Sequence, residues 1–124
     1  MKIDKEIGKE NQKRKEIRMR VTAGTLKNRK IKSREGRETR PTLERIKEAI
    51  FSIIEDKVVD AKFLDLYSGT GNIAIEALSR GAKRAVMIEQ DKEALRIIID
   101  NIDTLGLTNV SRAYKNDVSR AIEI

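Results

Sequence analysis

The stretch Asp65-Leu66-Tyr67-Ser68-Gly69-Thr70-Gly71-Asn72-Ile73-Ala74 (residues 65–74) decides the fold. It leads from a short apolar run into an amphipathic helix through a turn of the pattern Gly-x-Gly-x-x-Ala. We expect Gly69 to permit the tight turn and Gly71 to let the backbone approach a ligand without an intervening Cβ. Ala74 would let the helix pack closely on the strand. Such a turn between a strand and a helix is typical of α/β domains that bind a nucleoside-containing cofactor.

Strands and helices alternate on both sides of this turn. Short apolar runs predict three strands, at 63–67, 84–89 and 110–114, of which the first two are expected to be buried. Helical spacing predicts one helix that ends at Gly81 and a second that runs from an N-cap at Asp91 to Gly106. A loop over 115–117 and a last helix over 118–124 would follow. This order predicts a right-handed parallel α/β unit.

A further helix is expected before the first strand. Pro41, the only proline, precedes Thr42, which can act as an N-cap, and apolar side chains then recur at helical spacing to about residue 56. On the solvent side of this helix, we expect carboxylates to pair with cations: Glu44 and Glu48 with Lys47 and Arg45.

Residues 19–33 predict a short β-hairpin with a cationic face. Met19, Val21 and Ala23 alternate with Arg20 and a threonine, a turn is expected over 24–28, and the return strand alternates again over 29–33. The loop that follows runs to the proline. The predicted organisation is therefore a basic extension (1–18), a hairpin and loop (19–40) and an α/β domain (41–124).

The composition excludes several classes of function. The 124 residues carry a net charge of +7, and they contain no Cys and no His, which removes disulfides, thiolate nucleophiles and the commonest general base and metal ligand. The sequence predicts no metal site, no bilayer-spanning segment and no signal peptide, so we expect a cytoplasmic protein.

Positive charge is concentrated at the amino-terminal end. Residues 1–40 hold 15 Lys and Arg against 6 Asp and Glu, whereas residues 41–124 hold 12 against 14. A basic arm on a slightly acidic body is typical of proteins that bind nucleic acid. For residues 1–18, the alternative is a solvated tail whose charge only aids solubility.

Three acidic residues bear on the cofactor, and two of them, Asp65 and Asp117, distinguish between adenosine cofactors. Glu89 ends the second strand, 20 residues after Gly69, where a carboxylate can accept hydrogen bonds from both ribose hydroxyls. Asp65 lies four residues before Gly69, where it would repel a pyrophosphate but attract the cationic groups of S-adenosylmethionine. Asp117 could accept from an adenine amino group, or equally act as the N-cap of the last helix. The balance favours S-adenosylmethionine over NAD.

Several segments together resemble a known enzyme family. Residues 65–82 are similar to the first motif of the RsmD-like class I methyltransferases, residues 19–24 to the opening strand of that family, and 36–42 to its signature before the first helix. Arg45, residues 47–49 and Phe51 continue the similarity, which covers about residues 19–119. The resemblance implies a Rossmann-like parallel sheet, here truncated after about its third strand and preceded by the hairpin.

The resemblance also implies a function. These enzymes methylate the exocyclic N2 of a guanine in small-subunit ribosomal RNA, so ribosomal RNA or the assembling small subunit is the expected partner. The predicted S-adenosylmethionine contacts are Asp65, Tyr67, Gly69, Gly71, Asn72, Glu89, Gln90, Asp117, Val118, Arg40 and Thr42. The predicted RNA contacts are Arg20, Lys27, Arg29, Lys30, Lys32, Arg34, Arg37 and Arg40.

One family feature has no counterpart in the 124 residues. The resemblance implies a catalytic loop of the form Asn/Asp-Pro-Pro-Tyr/Phe after a fourth strand, and Pro41 is the only proline. We therefore assign no catalytic residue and expect this chain alone to be inactive. The alternatives are a non-catalytic RNA- or ribosome-binding module on a vestigial methyltransferase fold, and a DNA methylase. Without a fourth strand, we expect residues 63–67 to form an apolar sheet edge that pairs with a second copy, with the missing half, or in aggregates.

Overall fold

The structure, a computed structural model, describes residues 19–33, 40–66 and 68–116, with side chains described from residue 44 onward in the first helix. The described elements in chain order are β1 (Met19–Arg20), β2 (Lys30–Ile31), α1 (Arg40–Ile54), β3 (Lys62–Asp65), α2 (Asn72–Ser79), β4 (Arg84–Glu89), α3 (Lys92–Thr104) and β5 (Ser111–Lys115). Short 3₁₀ turns follow α1 (Glu55–Val58) and precede β5 (Thr108–Val110).

The described strands form a hairpin and a parallel sheet. β1 pairs with β2 antiparallel, with Met19 opposite Ile31, which confirms the predicted hairpin. β3, β4 and β5 lie in that order and pair in parallel, with Asp65 opposite Met87 and Glu89 opposite Lys115. The carboxyl ends of the parallel strands therefore meet at one edge, where the glycine turn lies.

Both helices that connect the parallel strands pack on one face of the sheet. Ala74 and Leu78 of α2 and Ile98 of α3 form one buried cluster with Ala85 and Met87 of β4. Because side chains alternate along a strand, Leu64 and Tyr114 lie on the opposite face, where they are 60% and 52% exposed. The prediction that residues 63–67 form a buried strand is wrong in this respect, since no described helix covers that face. β3 also ends at Asp65 rather than at residue 67.

Glycines end both connecting helices as predicted. Gly81 and Gly106 adopt φ angles of 112° and 71°, a conformation that a side chain disfavours. After each glycine, the next N–H reaches back to a carbonyl of the last turn: Ala82 to Ala77 at 2.9 Å, and Leu107 to Ile102 at 2.9 Å. Asp91 caps the start of α3, with Oδ1 accepting from the Glu93 N–H at 2.9 Å.

Two local predictions around α1 are wrong. The helix begins at Arg40, so Thr42 lies inside the first turn rather than at the N-cap. Pro41 lacks an N–H, but the first turn leaves its N–H groups unpaired in any case, so the helix can start before the proline. Lys47 is not on the solvent side but fully buried, because α1 turns this face toward α2 and the hairpin. The predicted pairing with Glu44 is nevertheless present, since the Lys47 Nζ lies 3.7 Å from the Glu44 Oε1.

The third strand is shifted by one residue from its prediction. β5 begins at Ser111 because the residue before it, Val110, closes a 3₁₀ turn, and Lys115 extends the strand at its far end. The predictions for residues 1–18 and 118–124 lie outside the described residues. Within the described ranges, no helix is both long and apolar enough to span a membrane.

Candidate cofactor site at the glycine turn

Residues 68–71 form a compact turn at the carboxyl end of β3. The Gly71 N–H donates to the Ser68 carbonyl at 2.7 Å, and the Ser68 hydroxyl donates to the Asp65 carbonyl at 3.0 Å. Gly69 has a φ of 55°, and a Cβ added there would meet nothing within 4 Å. The turn therefore presents bare backbone to open space on the Gly69 side.

Glu89 connects this turn to the next helix. Its Oε1 accepts from the Gly69 N–H at 2.9 Å, and its Oε2 accepts from the Asp91 N–H at 2.8 Å. The side chain is only partly buried. Since each carboxylate oxygen has two lone pairs, each keeps one acceptor position for a donor from a bound molecule. The structure thus brings together the glycine turn and the acidic residue that the sequence spacing singled out.

Gly71 has a different role from the one predicted. Its φ is 83°, and a Cβ added there would lie 3.3 Å from the Met87 Sδ, 3.4 Å from the Ile75 Cδ1 and 3.6 Å from the Ile98 Cγ1. The missing side chain would therefore point into the core, not toward a ligand. Glycine is required here for the left-handed conformation and for close packing of the turn on β4 and α3.

Asn72, the first residue of α2, is buried against a cation. The Lys47 Nζ donates to the Asn72 Oδ1 at 3.1 Å. Lys47 is 0% exposed and Asn72 is 7% exposed. The Asn72 Nδ2 is buried and has no hydrogen-bond partner among the described residues. An unpartnered buried donor of this kind costs about 1–3 kcal/mol.

A buried ion pair lies directly behind Asn72. The Lys47 Nζ and the Glu76 Oε1 are 3.1 Å apart, and both side chains are fully buried. Burial, the largest single influence, raises the pKa of Glu76, but the opposing effects outweigh it. Hydrogen bonds from the Thr22 N–H and the Arg80 side chain, with the charge of Lys47, hold the pKa of Glu76 below its usual value.

Asn101 of α3 fixes the glycine turn from the other side. Its Nδ2 donates to the Thr70 carbonyl at 3.0 Å and to the Lys32 carbonyl at 3.0 Å, while its Oδ1 accepts from the Lys32 N–H at 2.8 Å. The buried carboxamide of Asn101 therefore joins the glycine turn to the end of the hairpin.

The hairpin cations differ in how freely they could meet an anion. The Lys32 Nζ pairs with the Asp100 Oδ2 at 2.9 Å, and an Arg29 Nη donates to the Thr104 carbonyl at 3.4 Å. Arg20 is partly buried and donates to the Asn28 carbonyl at 2.9 Å. Lys27 and Lys30 are exposed, and no described carboxylate pairs with them. Of the described hairpin cations, these two lysines are the most available to an anion.

The whole described chain matches one protein family. The profile of the family described as "Conserved hypothetical protein 95" covers residues 19–124. The chain belongs to this family.

Curated relatives of this family member carry the names of methyltransferases. "Putative rRNA methyltransferase YlbH" of Bacillus subtilis (strain 168) is 39% identical over 104 residues, which cover 84% of this chain and 56% of that protein. "Ribosomal RNA small subunit methyltransferase D" of Escherichia coli (strain K12) is 34% identical over 101 residues, with coverage of 82% and 51%. The chain thus spans about half the length of these relatives.

A solved structure confirms the predicted fold class. "Putative methyltransferase yhhF from Escherichia coli" aligns with a TM-score of 0.75 at 29% identity, over 84% of this chain and 55% of that one. The fold is that of the class I methyltransferases, and the RsmD-like resemblance seen in the sequence is confirmed at the level of family.

Not every predicted site residue of this family member falls within the described residues. Asp65 is half-buried at the end of β3, and Gln90 is exposed beside Glu89. For Arg40 and Thr42, only the backbone in the first turn of α1 is described. The remaining predicted contacts lie outside the described residues: Tyr67, Asp117, Val118, Arg34 and Arg37.

Three buried polar residues near the site were missed by sequence reasoning: Lys47, Glu76 and Asn101. Lys47 lies four residues after one apolar residue of α1 and four before Phe51, so the helical spacing itself placed it on the buried face. Glu76 lies between Ala74 and Ala77 on the small helix that follows the glycine turn. A charged residue at an apolar helical position is the available signal. Lys47 was predicted on the solvent side, and no position was predicted for Glu76 or Asn101.

Proposed function

We propose that this chain is the donor-binding part of an S-adenosylmethionine-dependent ribosomal RNA methyltransferase. The proposed reaction moves a methyl group to the exocyclic N2 of a guanine in small-subunit RNA. The names of the relatives support an RNA substrate over DNA. The observation that carries the proposal is the Glu89 carboxylate, which two backbone N–H groups fix beside the glycine turn.

The residues present fit this cofactor. An unpartnered buried donor at Asn72, open space beside Gly69 and the remaining acceptor positions of Glu89 lie on one turn and the strand next to it. When bound, S-adenosylmethionine supplies an electrophilic methyl group on a sulfonium. An acidic residue at the end of β3 suits such a cation and disfavours a pyrophosphate.

Each site residue then has a distinct part in binding. Glu89 would accept hydrogen bonds from the ribose hydroxyls, because its orientation is already fixed by Gly69 and Asp91. Asp65 would attract the α-ammonium. No nucleophile, metal or covalent intermediate is needed for direct transfer, which depends mainly on positioning and exclusion of water. The hairpin cations would contact the RNA backbone.

Isothermal titration calorimetry with S-adenosylhomocysteine tests the proposal. The wild-type chain should bind it, and Glu89→Gln should weaken binding at least about tenfold, since hydrogen bonds to a charged acceptor each contribute about 1.5–3 kcal/mol. Glu48→Gln is the matched control, because Glu48 is an exposed carboxylate on α1. Its affinity should equal that of the wild type.

Failure of the wild-type chain to bind S-adenosylhomocysteine would overturn the proposal and favour a non-catalytic RNA-binding module. An equal loss of affinity in Glu89→Gln and Glu48→Gln would show that the effect comes from net charge rather than from the site. The guanine-N2 specificity and the cytoplasmic location remain predictions that follow from this proposal.

A further inference from the structure

Lys47 uses its entire hydrogen-bonding capacity inside the protein. An ammonium has three N–H donors and no acceptor. The Lys47 Nζ donates to the Arg20 carbonyl at 2.7 Å and to the Asn72 Oδ1 at 3.1 Å, and it pairs with the Glu76 Oε1 at 3.1 Å. These partners belong to the hairpin, to the start of α2 and to the middle of α2. Lys47 itself is on α1, so one side chain links three elements.

The contact with Lys47 sets the orientation of the Asn72 carboxamide. Because the ammonium offers only donors, the carboxamide must turn its oxygen toward Lys47 and its Nδ2 away from it. Rotation of the carboxamide by 180° would place its Nδ2 against the Lys47 ammonium, so that two hydrogen-bond donors would face each other. The Nδ2 is therefore held as a donor, and it is buried without a hydrogen-bond partner among the described residues. It belongs to the residue directly after Gly71, at the end of the turn.

We propose that Lys47 is a positioning residue that holds the Asn72 Nδ2 ready to donate to the α-carboxylate of the bound donor molecule. This inference rests on the proposed function. The amino-acid group of the donor molecule carries an ammonium and a carboxylate. Asp65, before the glycine turn, would attract the ammonium, and Asn72, after the turn, would donate to the carboxylate. The carboxamide carries no charge of its own, so only its orientation makes it selective for an acceptor.

A purely structural role for Lys47 makes a different prediction. Loss of a buried ion pair would then lower stability and weaken every ligand of the site alike. A positioning role acts through Asn72 alone, so it must depend on whether the ligand carries a carboxylate. S-adenosylhomocysteine carries the amino-acid group, whereas 5′-methylthioadenosine has the same nucleoside and sulfur without it. This pair of ligands separates the two roles.

The first experiment changes only the donor. Asn72→Asp keeps an oxygen toward Lys47 and is nearly the same size, but replaces the Nδ2 donor with a second carboxylate oxygen. Calorimetry should show affinity for S-adenosylhomocysteine reduced by at least about tenfold, because the second oxygen repels the ligand carboxylate and the hydrogen bond from Nδ2 is gone. Affinity for 5′-methylthioadenosine should stay within about twofold of the wild type.

The second experiment addresses Lys47 itself. Lys47→Met alone would leave Glu76 charged and unpaired in the interior, so it is combined with Glu76→Gln, which removes both charges. This double variant should bind S-adenosylhomocysteine several-fold more weakly than the wild type and 5′-methylthioadenosine equally well. In a protein that already carries Asn72→Ala, adding Lys47→Met and Glu76→Gln should not weaken the binding of S-adenosylhomocysteine further, because the carboxamide that Lys47 orients is gone.

The outcomes separate this inference from the proposed function. If the wild type binds neither ligand, the proposed function fails. If the wild type binds both, and Asn72→Asp binds S-adenosylhomocysteine as tightly as the wild type, the proposed function stands and the inference is wrong. An equal loss for both ligands in the double variant would also contradict it. Should that variant not fold, Asn72→Asp still tests the contact of the Asn72 Nδ2 on which the role of Lys47 depends.

Discussion

Gly24 lies in the hairpin turn, directly against the end of α2. Its φ is 88°, and a Cβ added there would overlap the carbonyl oxygen of Ser79 at the end of α2. Hydrogen bonds surround this contact: the Thr25 N–H donates to the Ser79 carbonyl at 2.8 Å, and the Leu26 N–H to the Ser79 Oγ at 2.9 Å. The Ser79 hydroxyl in turn donates to the Ala23 carbonyl at 2.6 Å. The hairpin is thus attached to α2 by its turn as well as by its apolar face.

Gly24→Ala should therefore destabilise the protein more than a glycine substitution elsewhere. The left-handed conformation alone costs a non-glycine residue about 1–2 kcal/mol, and the overlap with the Ser79 backbone adds to that. The matched control is Gly106→Ala, where φ is 71° but a Cβ would meet nothing within 4 Å. Urea denaturation should show a clearly larger loss of unfolding free energy for Gly24→Ala. Equal losses would mean that the hairpin is not held closely against α2.

At the scale of elements, sequence patterns correctly predicted the helix and strand ends that are determined by neighbouring residues. Gly81 and Gly106 end helices because the last turn needs a left-handed residue, and Asp91 starts one because its side chain caps a free N–H. These signals depend on a few neighbouring residues, so they can be seen without knowledge of the fold. β4 was predicted with both ends correct, since its apolar run is bounded by charged residues.

The errors share a different physical origin. The direction of the absent Cβ at Gly71, the partners of the buried Lys47 and the exposure of Leu64 all depend on which element packs against them. No local pattern specifies that α1 turns Lys47 toward Glu76, a residue 29 positions away in the chain. At the site, the spacing of Gly69 and Glu89 was predicted, but the residues behind the turn that hold it were not.

The hairpin is the described element with the greatest excess of exposed positive charge. If it contacts RNA, the two unpaired lysines should contribute most, so Lys27→Gln combined with Lys30→Gln should flatten the salt dependence of binding. The slope of log K against log salt should change by about 0.7–0.9 for each RNA phosphate that the variant no longer neutralises. Binding to a small-subunit ribosomal RNA fragment, measured at several salt concentrations, gives this slope.

A second pair of lysines provides the control for that measurement. Lys57 and Lys83 are exposed and lie at the amino end of the parallel strands, far along the chain from the hairpin. Lys57→Gln combined with Lys83→Gln removes the same charge and should leave the slope unchanged. Equal flattening by both pairs would indicate a general effect of net charge and argue against a hairpin contact.

At the scale of the whole molecule, Glu76 joins parts that the sheet does not join. It accepts from the Thr22 and Ala23 N–H groups of the hairpin at 2.9 and 3.1 Å, and it pairs with Lys47 of α1 and with Arg80 after α2. All of these contacts favour the charged carboxylate. Part of the attachment of the hairpin and α1 to the core therefore depends on the protonation state of one buried group.

This dependence predicts how stability changes with pH. The pKa of Glu76 is lower in the folded protein than in the unfolded chain, so its contribution is complete above the unfolded pKa. It is lost as the pH falls through the folded pKa, below the ordinary range for a carboxyl group. Glu76→Gln lacks this titration. The difference in unfolding free energy between the wild type and Glu76→Gln should thus be large near neutral pH and shrink in acid.

Urea denaturation at about pH 7 and about pH 3 measures this difference, since protonation in the unfolded chain is nearly complete at the lower value. Glu48→Gln is again the control, because an exposed carboxylate without buried partners should give a small difference at both pH values. A difference for Glu76→Gln that stays constant between the two pH values would contradict the argument. It would mean that the carboxylate fills space in the core and that its charge does not hold the hairpin and α1 in place.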